Sequence, residues 1–330
     1  MGPLQPLENC YRIDCKEEGV SMSKLTTKQF QILTDINMAW DFMVEVYNEA
    51  GGKGTETTAA PFFEYAITSS WMNKDYLHLC RFWLDGDTIV GFVFYENPVT
   101  HLRFILRPGY EELAEEMIAY AIDVFPDMNQ EKEFVFSEDQ TALIEAVEKR
   151  GYKLTYKNLE YRLNMTSAAL DYTLPNGFHF VEPDDVEPLK LARCCWKGFN
   201  EWELGPFENW DIPDHTTDWN PHKSYTGVEN NAMAPPPHST YEHAIVIANE
   251  EGEYVCYSGM WWISENKLAY MEPLCTIPEY QHRGLAAAAL SQHYKKFKAM
   301  GGKYLTGGGN DFYRKIGYDT EVYTLVYKKV

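Results

Sequence analysis

The sequence predicts an α/β (α+β) protein in which a mixed, mostly antiparallel sheet flanked by helices is built twice from one pattern. Three observations carry this. The chain has 330 residues, enough for two cores at roughly 150 residues per domain. Short apolar strands alternate with stretches whose apolar residues recur at helical spacing. The two halves also share landmarks in one order: an offset of 166 lays Gly151 on Gly317, Tyr152 on Tyr318, Leu159 on Leu325, Tyr161 on Tyr327 and Gly86 on Gly252.

The elements follow in chain order. One or two helices lead into FWLDGDTIVGFVFY, where the charged turn at Gly86 reads as a hairpin between apolar strands, and then into the strand HLRFIL. Leu113, Met117, Tyr120 and Val124 recur at helical spacing and predict an amphipathic helix. A strand, a short helix and a closing strand pair complete the half. The segment NMTSAALDYTLPNG has linker-like turn chemistry, which sets the domains at 1–168 and 169–330. In the second half HAIVIAN, EYVCYSGMWWIS and KLAYMEPLCTI take the places of the earlier strands, and Ala286, Leu290, Tyr294 and Phe297 mark the matching helix.

Composition excludes several function classes. With 45% hydrophobic and 24% charged residues the chain is a packed globular protein, not a disordered one. Forty-nine acidic against 29 basic side chains give a net charge of −20, which repels phosphate backbones and anionic lipid, so neither nucleic acid nor membrane is an expected partner. The start carries no basic region followed by an apolar stretch, and no run of about 18 apolar residues occurs, which predicts a cytoplasmic protein, monomer or homodimer. Seven cysteines without a CxxC pair read as free thiols, and no metal is expected. No GxSxG element supports a serine hydrolase.

The most informative segment is YMEPLCTIPEYQHRGLAAAA, Tyr270 to Ala289, a strand followed by a helix that begins near Gly284. Between them lies Gln281-His282-Arg283-Gly284-Leu285-Ala286. Glycine and a small residue at a first helical turn let backbone N–H groups approach an anion, with the helix dipole adding to the attraction. No GKS or GKT follows, so this is a pyrophosphate cradle without a Walker lysine.

The segment resembles the acetyl-CoA loop of the GNAT N-acetyltransferase superfamily, Gln/Arg-x-x-Gly-x-Gly/Ala after a strand and a proline. Asn310-Asp311-Phe312-Tyr313-Arg314-Lys315-Ile316-Gly317-Tyr318 resembles the superfamily's later Tyr-x-Lys-x-Gly-Phe/Tyr motif, with a clipped helix before the tyrosine. The resemblance implies two tandem GNAT-like domains and transfer of an acetyl or similar acyl group from acetyl-CoA to an amine. It implies that the backbone of Leu274, Cys275 and Thr276 pairs with the pantetheine arm, that Gln281, His282, Arg283, Gly284, Leu285 and Ala286 hold the pyrophosphate, and that Asn310 lies beside the cofactor. It implies Glu272 as general base and Tyr313 as the acid that protonates the leaving thiolate. The chemistry needs both, because an alkylammonium of pKa about 10 is only about 0.1% neutral at pH 7 and the thiolate leaves more easily beside a hydroxyl donor. Another carboxylate, such as Glu279, or a water chain is the alternative route for the proton.

Charge distribution supports an anionic ligand in the second half. From Gln281 to Val330 nine Lys/Arg face three Asp/Glu, a local charge of +6 on a chain whose other residues carry −26. Lys295, Lys296 and Lys298 read as a solvated helix face rather than as cofactor contacts.

The offset also predicts that the first half has lost the site. Tyr313 maps to Val147, and near the loop an offset of 170 maps Glu272 to Leu102. Pro108-Gly109-Tyr110-Glu111-Glu112-Leu113 puts acidic residues where a diphosphate needs bare amides. This predicts a degenerate domain that shapes the substrate site, an arrangement similar to tandem GNAT enzymes such as mycothiol synthase; a binding domain for an unrelated ligand is the alternative.

From Glu201 to Glu229 a long segment holds seven acidic residues against Lys223 alone, with several aromatics among them. Trp202, Trp210 and Asp211 are the candidates to receive a cationic amine, by cation–π contact and ion pairing. A packed lid with buried tryptophans explains the same composition. For the protein as a whole, a CoA-binding sensor that does no chemistry is the rival to an N-acetyltransferase, and retention of both Glu272 and Tyr313 favours the enzyme.

Overall fold

The structure is a computed structural model that describes residues 25–69, 72–127, 131–203, 206–207, 236–239 and 241–329. Twelve strands form one continuous sheet among the described residues: β1 (Leu25–Gln29), β2 (Arg81–Asp85), β3 (Thr88–Tyr95), β4 (His101–Leu106), β5 (Glu133–Ser137), β6 (Tyr152–Asn164), β7 (Phe178–Val181), β8 (Ile245–Asn249), β9 (Tyr254–Ile263), β10 (Leu268–Thr276), β11 (Tyr304–Thr306) and β12 (Thr320–Lys329). Helices α1 (Ile32–Glu49), α2 (Ala60–Thr68), α3 (Ala114–Val124) and α4 (Thr141–Lys149) belong to the first half. Helices α5 (Pro188–Gly198), α6 (Leu285–Ala299) and α7 (Asp311–Ile316) belong to the second.

The strand order is β1-β2-β3-β4-β5-β12-β6-β11-β10-β9-β8-β7. Read from either edge the order runs through five strands of one half and then meets the closing strand of the other, so β6 and β12 are exchanged. They pair antiparallel at the centre, with Asn158 opposite Thr324, the two residues that the 166-residue offset makes equivalent. A local two-fold axis therefore passes through that pair. Among the described residues the parallel neighbours are β4 with β5 and β10 with β11. The glycines paired by the offset do matching work at turns, where φ is positive: +85° at Gly151 and +118° at Gly317, +61° at Gly86 and +77° at Gly252.

The predicted closing strand pair of each half is a single strand, paired with its counterpart from the other half. Each half also opens with a short strand that periodicity does not reveal, LTTKQ in β1 and FHFV in β7, because four or five residues at an edge carry too little alternation. The predicted hairpins are β2–β3 and β8–β9.

The largest core lies under α1 and α2, where Phe30, Phe63, Phe82, Phe92 and Phe94 pack as edge-to-face and stacked pairs. It does not stop at the first half: Trp261, Ile263, Leu268 and Tyr270 of β9 and β10 belong to it. Two polar contacts fix the approach. Asn266, in the β9–β10 turn, donates its side-chain amide to the Val44 carbonyl at 2.9 Å, and Asn48 donates to the Glu265 carbonyl at 3.1 Å. Two further cores lie around α5 and α6, and Tyr161, Leu163 and Met165 of the first half join the second of them. One gathers Cys194, Cys195, Cys256 and Cys275 beneath α5 and α6; the other gathers Leu290, Tyr294 and Phe297 of α6 over Ala269, Met271 and Leu305.

The five described cysteines are free, while Cys10 and Cys15 lie outside the described residues. Burial pushes the Cys256 thiol up to about 12, and donation of the Cys194 S–H to Cys275, together with burial, raises Cys194. No group of three His, Cys, Asp or Glu among the described residues is placed to hold a metal, and no helix there is long and apolar enough to cross a membrane.

Candidate active site

Strands β10 and β11 run parallel but pair at only two positions, Leu268 with Tyr304 and Ala269 with Leu305. A last link joins the Met271 amide to the Thr306 hydroxyl at 2.8 Å. Beyond it the strands part. Gly307 donates to the Tyr161 carbonyl at 2.9 Å and Tyr161 donates to Gly308 at 3.1 Å, so the glycine run stays with β6 while β10 continues to Thr276. The edge of β10 from Glu272 onward thus faces a gap.

Ladder alternation decides which backbone groups line that gap. Ile277 donates to the Val255 carbonyl at 3.0 Å, so Ile277 and Cys275 turn their peptide groups toward β9, and Leu274 and Thr276 turn theirs away from it. Gln281 confirms the direction by donating to the Thr276 carbonyl at 3.2 Å. Of the three residues expected to meet a pantetheine arm, Leu274 and Thr276 offer main-chain groups, whereas Cys275 is buried against Gly198 of α5.

At the end of β10 a short turn leads into α6. Gly284 is its N-cap, with φ of +85°, and His282 also has a positive φ of +61°. Residues 281–284 are exposed, and a Cβ on Gly284 would meet open space. The amides of residues 282–287 have no acceptor within the described chain, which leaves a nest of N–H donors on the positive end of a 15-residue helix. The side chains of Gln281 and Arg283 are engaged elsewhere, Gln281 with the Thr276 carbonyl. Arg283 donates to the Glu279 carbonyl at 3.1 Å and stacks on Tyr280. Gly284, Leu285 and Ala286 form the first turn itself. This donor set fits a diphosphate held by backbone rather than by side chains.

Tyr313 occupies α7. Asn310 caps that helix, accepting from the Phe312 amide at 3.1 Å, a structural task for a residue expected beside the cofactor. The Tyr313 ring lies on Gly307 and Gly308, where any Cβ would stand 2.6 Å and 2.9 Å from ring carbons, so the triple glycine makes room for the tyrosine. The ring is 5% exposed, and its hydroxyl makes no hydrogen bond within the described chain. Burial, then the Glu272 and Glu160 carboxylates, raise its pKa, so it stays protonated at neutral pH.

Glu272 is half-buried at the start of the gap. Leu268 and Tyr270 face the core under α1 whereas Ala269 and Met271 face α6, so alternation turns Glu272 to the α1 side. A bulge follows it, and Gly259 on β9 has no side chain because a Cβ would collide with the Glu272 carbonyl. Tyr270, raised by burial and then by Glu272 and Glu160, shares this side. Tyr270, Glu160 and Arg162 escaped sequence reasoning. The last two lie in a distant segment that only the exchange of closing strands brings here.

Lys295 pairs with Asp171 at 2.9 Å and Lys298 donates to the Tyr294 hydroxyl at 2.5 Å. Both sit more than ten residues along α6 from its cradle, roughly 15 Å away, as a helix face. Trp202 is 51% exposed on a turn after α5, and Trp210 and Asp211 lie outside the described residues. The far side of that segment is anchored on the first half: His238 stacks on Trp40 at 4.2 Å and binds the buried Glu64 through its backbone at 2.7 Å and its ring at 2.6 Å.

The equivalent gap in the first half is filled. Gln140, buried, accepts from the Ser137 amide at 2.9 Å and donates to the Phe104 carbonyl at 2.8 Å, bridging β5 to β4. Glu111 accepts from the Gly109 amide at 2.9 Å, occupying the N–H that an anion would need. The cleft left there, about 380 Å³, is lined by Glu49, Glu56, Glu111 and Asp139 with Arg107. Val147 and Leu102, the counterparts of Tyr313 and Glu272, are fully buried core residues.

Comparison with known proteins agrees with this geometry. Residues 201–318 match the profile of the Acetyltransferase (GNAT) family. Among curated proteins none matches the sequence significantly. In fold the chain is similar to a GCN5-related N-acetyltransferase from Sphaerobacter thermophilus, with TM-score 0.52 and 12% identity over 92% of this chain and 95% of that one. It is similar also to a GNAT-family acetyltransferase from Colwellia psychrerythraea, with TM-score 0.56 and 11% identity over 92% and 100% of the two chains. A tandem GNAT protein from the clavulanic acid biosynthesis pathway gives TM-score 0.54 and 8% identity over 93% and 98%. The chain thus has the fold of tandem GNAT proteins, and its second half carries, over residues 201–318, the match to the Acetyltransferase (GNAT) family.

Proposed function

We propose that the second half transfers an acetyl group from acetyl-CoA to a primary amine of a small cationic molecule, by direct attack in a ternary complex. The observation that carries this reading is the coincidence, at one strand gap, of an open N–H nest, a carboxylate and a protonated, unpartnered tyrosine hydroxyl. The diphosphate of the donor rests on the amides at the start of α6, and its pantetheine arm runs along the free main-chain groups of Leu274 and Thr276. Glu272 receives the proton of the incoming ammonium, through water, so that the neutral nitrogen attacks the thioester carbon. As the C–S bond breaks, the Tyr313 hydroxyl donates its proton to the sulfur. A sensor that only binds CoA needs neither group.

Calorimetric titration of the full chain with acetyl-CoA tests the reading without assuming an acceptor. One site per chain is expected, weakened at least about tenfold in Gly284→Trp, whose side chain would project into the nest from a strained φ. Two sites, or binding indifferent to that substitution, would contradict it.

A further inference from the structure

Glu160 belongs to the first half but lies on β6, inside the second half's part of the sheet. The β6–β11 register pairs Arg162 with Thr306, and the β10–β11 register pairs Leu268 with Tyr304. Beyond those pairs Tyr161 bonds to both Gly307 and Gly308, so Glu160, the next residue of β6, borders the glycine run beside Gly308 on one side, and Glu272 begins the gap on the other. Tyr313 sits over that same glycine. Tyr161 and Leu163 face the α6 core, so Glu160 and Arg162 point to the opposite side, with Tyr270 and Glu272.

The Glu160 side chain is one-third exposed, and one carboxylate oxygen accepts from Arg162 Nε at 2.7 Å. The other oxygen has no partner among the described residues. Arg162 cannot turn into the pocket itself. It is 5% exposed, donates through Nη1 to the Tyr47 hydroxyl and the Lys53 carbonyl, and lies so close to Gly54 that a Cβ there would collide with it. The guanidinium is a strut that fixes the carboxylate, and the group displayed is the anion.

We propose that Glu160 is a specificity-determining residue that takes a second ammonium group of the acceptor, which makes the acceptor class a short diamine or polyamine. The inference rests on the acyl-transfer reading above, in which Glu272 serves the reacting nitrogen. Glu160 and Glu272 flank the gap from either side of β11, so their backbones stand at least two strand spacings, about 10 Å, apart, and two glutamate side chains shorten that toward the span of a short diamine; both carboxylates act on Tyr270 and Tyr313 between them. Charge agrees. On this face Arg103, paired with Glu96 and stacked on Phe62, and Arg162 oppose Glu96, Glu160 and Glu272, leaving one net negative charge among the described groups. A face of net negative charge attracts a cationic acceptor.

The test titrates the CoA-loaded full chain with three probes of equal length, 1,4-diaminobutane, 4-aminobutan-1-ol and 4-aminobutanoate. The diamine should bind at least about tenfold more tightly than the amino alcohol, and the amino acid most weakly. Glu160→Gln keeps an acceptor for Arg162 and should bring the diamine down to the amino alcohol while CoA affinity holds; Glu160→Asp, which keeps the charge, should retain a preference. CoA binding without a diamine preference in the native chain, or a preference that survives Glu160→Gln, overturns the role of Glu160 alone. Failure of CoA to bind overturns the acyl-transfer reading and this inference with it.

Discussion

Tyr313 combines burial with a free hydroxyl, and each property constrains what it can do. Burial and two nearby carboxylates hold the proton on, so it can act as an acid but not as a base. Tyr313→Phe keeps the ring on its glycine bed and removes only the proton. Turnover should fall roughly 10²- to 10³-fold while the dissociation constant for acetyl-CoA changes less than about twofold, as steady-state kinetics beside calorimetry would show. A second buried group acts on stability instead. His293 on α6 is fully buried, with its Nε2 3.1 Å from the Ser258 hydroxyl, and burial first of all pushes its pKa down to about 3. The unfolded value is about 6.5, so between these limits the unfolded chain binds a proton that the folded chain refuses. That contribution is complete above about pH 6.5 and is lost as pH falls toward 3. Denaturant unfolding at pH 7 and pH 4.5 should show a shallower loss in His293→Gln, by up to about 1.4 kcal/mol per pH unit.

At the scale of elements, one topology serves opposite ends in the two halves. Both contain a parallel pair that parts after a few residues, but Gln140 bridges the first and nothing among the described residues bridges the second past Thr306. Gln140→Ala would leave the Ser137 amide and the Phe104 carbonyl unpaired in a core. Denaturant titration should register a loss of about 2–4 kcal/mol, with acetyl-CoA affinity unchanged. The contrast explains what the sequence could reveal. The cradle was legible because its information is local: a strand, a proline and a glycine within a few residues of each other, plus a tyrosine 29 residues after Gly284. That the first half keeps no counterpart of Tyr313 or Glu272 was legible from Val147 and Leu102 by the two offsets, and the acidic loop from Glu111 itself. The partner of each closing strand was not, since pairing depends on long-range register that periodicity within a window does not encode. Glu160 stayed hidden for that reason, being ordinary in its own segment. The direction of Cys275 was hidden too, because only ladder alternation tells which peptide groups face the gap.

For the whole molecule the exchanged strands make the two halves mutually dependent. Residues 1–168 alone would leave β5 without β12, and residues 169–330 alone would leave β11 without β6. Each piece would expose an unpaired edge and a stripped core. Expressed separately, neither should give a cooperative thermal transition; mixed during refolding, they should regain one transition and acetyl-CoA binding together. Two independent transitions from the separate pieces would contradict this.

The same exchange bears on how such a chain can change over generations. A duplicated domain that has lost its chemistry is ordinarily dispensable, and deletions remove it. Here β6 supplies both a structural neighbour for β11 and, on its inner side, Glu160. Selection that keeps Glu160 and the β6–β11 ladder therefore keeps the closing strand in place, whatever the cleft of the first half itself can bind.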